Sequence, residues 1–329
     1  EATSRMKNEK YIVRLAMPTN GKIIINDIVK GKLQFDYALI DDPIMIKSDG
    51  YPTYHFANVI DDHHMNISHV IRGEEWLPSL PKHAYLYECF NWTTPDFAHL
   101  PLLLNKDKSK LSKRQGDVAV EDYIKKGYLK EALINFVALL GWHESNDQEF
   151  YSLQDLIKVF SLERIQSSGA VFDIDKLNWL NNQYIKKTSS NDIIKVSKNY
   201  LNHNWEITES MVDLIKDKLN TLNDLEAELS IFFEDPKINS KSINEKFPDY
   251  NVQIIIKNAV EVFEKLDNFD PSLFKTIMSN IQTQSNCQSK ELWQTIRFVL
   301  TGEIHGPDLA SFISILGRKR CIQRFNNAS

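Results

Sequence analysis

Between Asn105 and Asp117 the chain reads NKDKSKLSKRQGD, four lysines and one arginine in thirteen positions. The whole chain is net negative, with 39 basic against 44 acidic residues and a formal charge of −5. Such a run is ordinarily a solvated face. What its flanks resemble decides whether this one is more than that. A second cluster of reactive types is DDHH, Asp61 to His64, with His55 and His69 nearby. Adjacent residues rarely point at one ion, so this is not zinc spacing. No protein-bound metal is expected, and Asp61 and Asp62 are expected to make structural hydrogen bonds. A P-loop pattern GxxxxGK[ST] is absent, which speaks against a P-loop kinase.

The elements that would position these residues divide the chain in character. YIVRLAM (Tyr11 to Met17), KIIIND (Lys22 to Asp27) and PIMIK (Pro43 to Lys47) are β-rich, and PTNG between the first two reads as a hairpin turn. SDGYPT is another turn. Tyr54 to Asp62 reads as helical or irregular, SHVIRG as a short buried strand, and SLPKHAYLYECF as an amphipathic helix with Ala84, Leu86, Tyr87 and Phe90 inward. Strands separated by helices suggest an α/β sheet. After the basic loop, Leu129, Leu133, Phe136, Val137 and Leu140 fall at helical spacing, with Gly141 as C-cap. From SLQDLIKVF onward almost everything reads as helix, and TSSND (Thr188 to Asp192) carries N-cap residues at a boundary.

Composition sets the remaining bounds. At 329 residues the chain has room for roughly two or three domains. Its 42% hydrophobic and 25% charged residues are ordinary for a globular protein. No apolar run approaches the ~18 residues of a membrane helix, so no membrane partner is expected. Cys89, Cys287 and Cys321 lie far apart, which argues against a disulfide framework and fits a reducing compartment. The opening EATSRMKNEKYIVRL has neither an initiator Met nor a signal-peptide core, and reads as the start of a piece of something longer.

KLSKR, Lys110 to Arg114, resembles the lysine signature loop of class I aminoacyl-tRNA synthetases, with Leu111 where Met is usual. The surrounding blocks resemble the glutamyl-tRNA synthetase family of the bacterial and mitochondrial type. They are SDGYPTYHFANVIDDHHMNISHVIRGEEWLPSLPKHAYLYECFNW, FAHLPLLLNKDKS, GYLKEALINFVALLGW, SSGAVFDIDKLNWLNNQYI and LTGEIHGPDLASFISILGRKR. The resemblance covers nearly the whole chain and is weakest from about Ser190 to Lys290. The family's other signature, a His-containing motif near the N-terminus, is absent with the first half of the nucleotide fold, so an N-terminally truncated member is expected. The implied fold class is α/β then all-α. Residues 1–115 would be the C-terminal part of a class I Rossmann-type catalytic domain, 116–190 a helical stem-contact domain, and 191–329 an all-helical anticodon-binding domain.

The resemblance implies a two-step reaction. Glutamate attacks the α-phosphate of ATP to give glutamyl-adenylate, and the acyl group then passes to the 3′ end of tRNA(Glu), with Mg2+ bound by the ATP phosphates. Lys110 and Lys113 are the implied catalytic cations, Lys113 the nearer to the reacting phosphates. Ser112, Arg114, Glu75, Leu102 and Leu103 join them in the ATP site. Tyr54, Asn58, Arg72 and Trp76 are the implied glutamate pocket, with Arg72 gripping a carboxylate through its fork. On residue type alone Tyr54 and Trp76 are as well read as core aromatics, and Arg72 as an ion-pair partner of Glu74 or Asp61. GRKR (Gly317 to Arg320) reads equally as a phosphate contact or as a helix-end dipole partner. tRNA(Gln) stays open as a second partner, and a monomer is the default. The wording of the motifs points to the mitochondrial matrix, with the bacterial cytoplasm as alternative. A non-catalytic tRNA-binding fragment is the competing function. Glutaminyl-tRNA synthetase is disfavoured, because its β-barrel anticodon domain does not suit the helical pattern after Asn191.

Overall fold

A computed structural model describes residues 9–111, 119–239, 243, 245–266 and 269–328. The chain forms two compact units, one of residues 1–118 and 134–174 and the other of residues 119–133 and 175–329.

The described strands all lie in the first unit: β1 (Val13–Arg14), β2 (Lys22–Asp27), β3 (Gly31–Asp36), β4 (Ile44–Ile46), β5 (His69–Gly73), β6 (Asp96–Leu100), β7 (Leu103–Leu104) and β8 (Ala170–Val171). The main sheet has the order β3-β2-β6-β5. β6 is parallel to both neighbours, and β5 reaches it through a 3₁₀ segment (Glu74–Ser79) and a helix. That is the crossover a parallel pair requires. Helix α1 (Tyr54–His64) precedes β5, and α2 (Leu80–Cys89) is the crossover helix. Ile25, Leu80, Ala84 and Phe97 form the sheet's core, packed with Val70 and Leu77. Met45, Val59, Leu86 and Tyr87 form a second cluster that joins α1, α2 and β4. On α2 the buried residues include the expected Ala84, Leu86 and Tyr87 together with His83, whereas Phe90 is exposed.

The hairpin expected between Tyr11–Met17 and Lys22–Asp27 does not form. β1 pairs with β4, and β2 instead turns back onto β3, a strand the sequence reading passed over. The cause is local. Asp27 Oδ1 accepts the N–H of Val29 at 3.0 Å and of Lys30 at 2.9 Å, and Gly31 follows at φ 72°. This Asx-type turn with a left-handed glycine closes a six-pair ladder from Lys22↔Asp36 to Asp27↔Gly31. PTNG has no such partner, because Met17 N–H is taken by Asp42 Oδ1 at 2.8 Å. SHVIRG is a strand, as expected, but it lies at the sheet edge with alternating exposure and is not buried.

Among the described residues of the second unit every regular element is a helix. α3 (Val120–Lys125) stops at Gly127, which has φ 84°. α4 (Lys130–Ala138) begins in this unit and ends in the first, which also holds α5 (Leu153–Val159), and α6 (Ile174–Lys187) leads on into α7 (Ser190–Ser197). Ser189 caps α7 by accepting the Asp192 N–H at 3.1 Å, as TSSND suggested. Val137, expected inward, is 59% exposed, and the buried face of α4 carries Ala132, Asn135 and Phe136. α8 (Glu209–Ile215), α9 (Leu225–Phe233), α10 (Val252–Glu264), α11 (Phe274–Ser285), α12 (Ser289–Thr301), α13 (Leu309–Leu316) and α14 (Arg318–Ala328) share one apolar core, in which Leu229, Ile256, Phe263, Ile296 and Phe312 are fully buried.

Candidate active site

Arg72 and His99 are cross-strand partners on β5 and β6, so their side chains share one face of the sheet. Arg72 Nε donates to His99 Nε2 at 3.0 Å. Behind it, His99 Nδ1 lies 2.6 Å from Asp27 Oδ2, and both of those side chains are fully buried. On the other side Arg72 Nη1 reaches His83 Nδ1 at 3.4 Å, and His83 Nε2 lies 3.0 Å from His55 Nδ1. Five polar residues from β2, β5, β6, α1 and α2 therefore form one continuous row. Arg72 Nη2 is buried and has no hydrogen-bond partner among the described residues.

The electrostatics follow from burial. His83 is pushed down to about 3, first by burial and then by the neighbouring Arg72 charge. Burial also lowers His99 and His55, so the imidazoles around Arg72 are neutral at pH 7. Asp27 stays low: burial alone would raise it, but the hydrogen bonds from His99 and from the backbone of Lys30, His99 and Val29 outweigh that cost. Asp62 moves the other way. Burial raises it, against the opposing Asn58 amide and Arg72 charge.

Around this row the other expected pocket residues fall as follows. Tyr54 at the start of α1 and Trp76 in the 3₁₀ segment lie with ring centroids 4.8 Å apart, and Tyr54 is 5.7 Å from His83. At 46% and 40% exposure they are walls open to solvent and not core aromatics. Asn58, one turn along α1, donates to Asp62 Oδ2 at 3.1 Å. Arg72 is not paired with Glu74 or Asp61. Glu74 instead forms an ion pair with Lys30 and accepts the Leu102 N–H at 3.2 Å. Glu75 is exposed in the first turn of the 3₁₀ segment, folded against Gly73.

The basic stretch begins as a tight turn. Lys108 N–H bonds to Asn105 O at 2.9 Å, Asn105 N–H to Ser109 O at 2.8 Å, and Lys108 sits at φ 66°. Asp107 fastens the turn by accepting from both the N–H and the hydroxyl of Ser109. The return leg places Lys110 opposite Leu104, and Leu111 N–H bonds to Leu103 O at 2.9 Å. β7 is thus held three ways: by Glu74 at Leu102 N–H, by β8 through Ala170 N–H to Leu102 O at 3.0 Å, and by the Lys110 leg. Leu103 remains 37% exposed beside it. Ser112, Lys113 and Arg114 lie outside the described residues.

Two arginines of GRKR reach the ends of helices. Arg318 donates to Glu264 O, the last residue of α10, at 3.0 Å, and Arg320 donates to the carbonyls of Phe232 and Phe233 at the end of α9. These arginines cap other helices.

The model of the class I tRNA synthetase catalytic domain (E and Q) matches residues 1–179, and an anticodon binding domain model matches residues 174–329. A glutamate–tRNA ligase of Finegoldia magna is 40% identical over 338 residues, spanning 100% of this chain and 69% of its own length. The chain belongs to the glutamate–tRNA ligase family. A second family member, from Alkaliphilus metalliredigens, is 43% identical over 96% of the chain, and the chain spans 66% of that relative. A solved family structure, a glutamate tRNA ligase from Elizabethkingia meningosepticum in complex with its amino acid, superposes with a TM-score of 0.89. It is 33% identical over 99% of the chain and 69% of that structure. The chain therefore spans about two thirds of the length of these relatives, all of them bacterial. They lend no support to the mitochondrial expectation. Three residues of the Arg72 row, Asp27, His83 and His99, were not anticipated from the sequence. The signal was present for two of them, since Asp27 and His99 are polar residues inside the apolar strands KIIIND and DFAHL.

Proposed function

We propose that this protein is a glutamate–tRNA ligase, activating glutamate with ATP and transferring it to tRNA(Glu), and that Arg72 is the cation that holds a substrate carboxylate. The observation that carries this reading is the Arg72 Nη2 group, buried without a partner among the described residues, while Nη1 reaches His83, whose ring lies 5.7 Å from that of the exposed Tyr54. An unsatisfied buried donor costs about 1–3 kcal/mol, more for a charged group, so such a group is built to meet an acceptor from outside. An anionic, planar acceptor suits a guanidinium best. In this reading the rings of Tyr54 and Trp76 flank the substrate, and Asn58, held by Asp62, orients it.

The attack crowds negative charge onto phosphate oxygens, so the protein's contribution is placement and cations. In this reading Lys110, on the return leg of the turn at Asn105–Ser109, is one of those cations. Lys113 and Arg114 follow in the chain as further cations, Ser112 lets the backbone approach, and Leu102, Leu103 and Glu75 line the nucleotide. Mg2+ would be held by the triphosphate. Among the described residues no group of three or more His, Cys, Asp or Glu could hold a metal ion. Residues 1–115 act as the catalytic part, 116–190 as the stem contact and 191–329 as the anticodon-binding part. The match of 174–329 to an anticodon binding domain supports the last assignment. The bacterial relatives favour the bacterial cytoplasm over the mitochondrial matrix.

ATP–pyrophosphate exchange with the full gene product, with and without tRNA(Glu), tests the reading. Exchange should require glutamate. Lys113→Ala should lower it by roughly two to three orders of magnitude, as loss of a cation aimed at developing charge does. Wild-type-like exchange in that variant would remove Lys113 from the reaction.

A further inference from the structure

Arg72 is held by imidazoles and not by a carboxylate. A guanidinium has five N–H donors and no acceptor, so any ring nitrogen that meets it must offer a lone pair. That condition fixes two tautomers. His99 Nε2 accepts from Arg72 Nε, so its proton sits on Nδ1 and is donated to Asp27 Oδ2. His83 Nδ1 faces Arg72 Nη1, so its proton sits on Nε2 and is donated to His55 Nδ1.

We propose that Asp27 and His99 are positioning residues for Arg72. Asp27 selects the His99 tautomer that accepts from Nε, and this fixes the plane of the fork with Nη2 left for the substrate carboxylate. The inference rests on the reading of Arg72 given above and deepens it. Its physical content lies in the choice of partner. A carboxylate placed where His99 stands would orient the guanidinium equally well but would neutralise it. A neutral imidazole orients without spending the charge, and the balancing anion sits one ring further back, buried on the backbone N–H groups of Val29, Lys30 and His99. The low pKa values of His83 and His99 agree with neutral rings.

Asp27→Asn is the sharp test, because it preserves shape. The amide oxygen can keep the Val29 and Lys30 N–H bonds that Oδ1 now accepts, while the amide N–H must donate to His99 Nδ1. That moves the ring proton to Nε2, where it opposes the Arg72 Nε–H. In the full protein, two-bond 15N–1H imidazole spectra should show His99 as the Nδ1–H tautomer in the wild type and as Nε2–H in Asp27→Asn. The same variant should raise the glutamate KM roughly 10- to 100-fold, the scale of a misplaced binding group, with the ATP KM within about twofold. A double variant with His99→Gln, whose amide oxygen accepts from Arg72 without needing Asp27, should recover most of that loss. If Asp27→Asn does not fold, the wild-type spectrum and the contrast between His99→Gln (mild) and His99→Leu (severe) on glutamate KM decide the matter. An Nε2–H tautomer in the wild type overturns the inference. So does an unchanged glutamate KM in Asp27→Asn, or in His99→Leu, when Arg72→Ala raises it. An unchanged glutamate KM in Arg72→Ala would overturn the pocket reading as well.

Discussion

The imidazoles around Arg72 give the site a definite pH response. His83 in the folded protein sits at about 3, lowered from 6.5 by burial and by Arg72, His55, His99 and Lys82. An unfolded chain would take up that proton near pH 6.5, so between the two values the unfolded state binds more protons. Stability from this group is fully present above about pH 6.5 and is lost as the pH falls toward 3. Asp27, also lowered, adds a loss of the same sign below its ordinary carboxylate value. Thermal melts at about pH 7, 5.5 and 4 should therefore show a falling Tm, and His83→Gln should flatten the slope between about 6.5 and 4. A melting temperature as high at pH 4.5 as at pH 7 would mean that His83 is not buried as a neutral ring.

At the level of elements, what the sequence made legible was pattern, and what it hid was pairing. Tyr54 to Asp62, SHVIRG and SLPKHAYLYECF became α1, β5 and α2, because periodicity is a local property of the sequence. The hairpin at PTNG was misread because strand pairing depends on distant partners: Asp42 captures Met17, and Asp27 closes its own turn. The glutamate-pocket candidates Tyr54, Asn58, Arg72 and Trp76 were legible through motif resemblance. The row behind them was not, since Asp27, His99 and His83 lie on three elements and meet only in space. The glycine at the end of α3 is a similar case. Gly127 has φ 84°, and a Cβ there would lie 2.6 Å from Leu222 N, backbone that cannot step aside. Its carbonyl also accepts the Leu222 N–H at 2.9 Å. Gly127→Ala should cost about 2–4 kcal/mol from overpacking and left-handed strain combined, read by urea denaturation as a lower midpoint with an unchanged m-value.

The molecule as a whole divides its labour between an α/β unit that carries the Arg72 row and a helical unit built around one large core. In the helical unit a fully buried charge, Arg324, holds structure together and plays no part in the proposed chemistry. Arg324, 1% exposed, ties the carbonyls of Ile231, Leu300 and Glu234 to Asp235, and burial lowers its pKa against the pull of that carboxylate. Arg324→Met would leave those three carbonyls without their donor, while Asp235 keeps Arg320 and Gln323, and should destabilise the protein by about 3–5 kcal/mol. Glutamate and ATP KM values, measured well below the melting temperature, should stay within about twofold, since Arg324 belongs to the other unit and shares no partner with the Arg72 row. The role of Arg72 is most directly tested by titrating glutamate in ATP–pyrophosphate exchange with wild-type, Arg72→Ala and Arg72→Lys forms of the full protein. Truncating one partner of a buried charged pair costs about 2–4 kcal/mol, so the glutamate KM should rise roughly 30- to 1,000-fold in Arg72→Ala, and the point charge of Lys, lacking the fork, should restore only part of it. The ATP KM should barely move. A glutamate KM that is unchanged in Arg72→Ala would contradict the assignment of Arg72 to the substrate carboxylate.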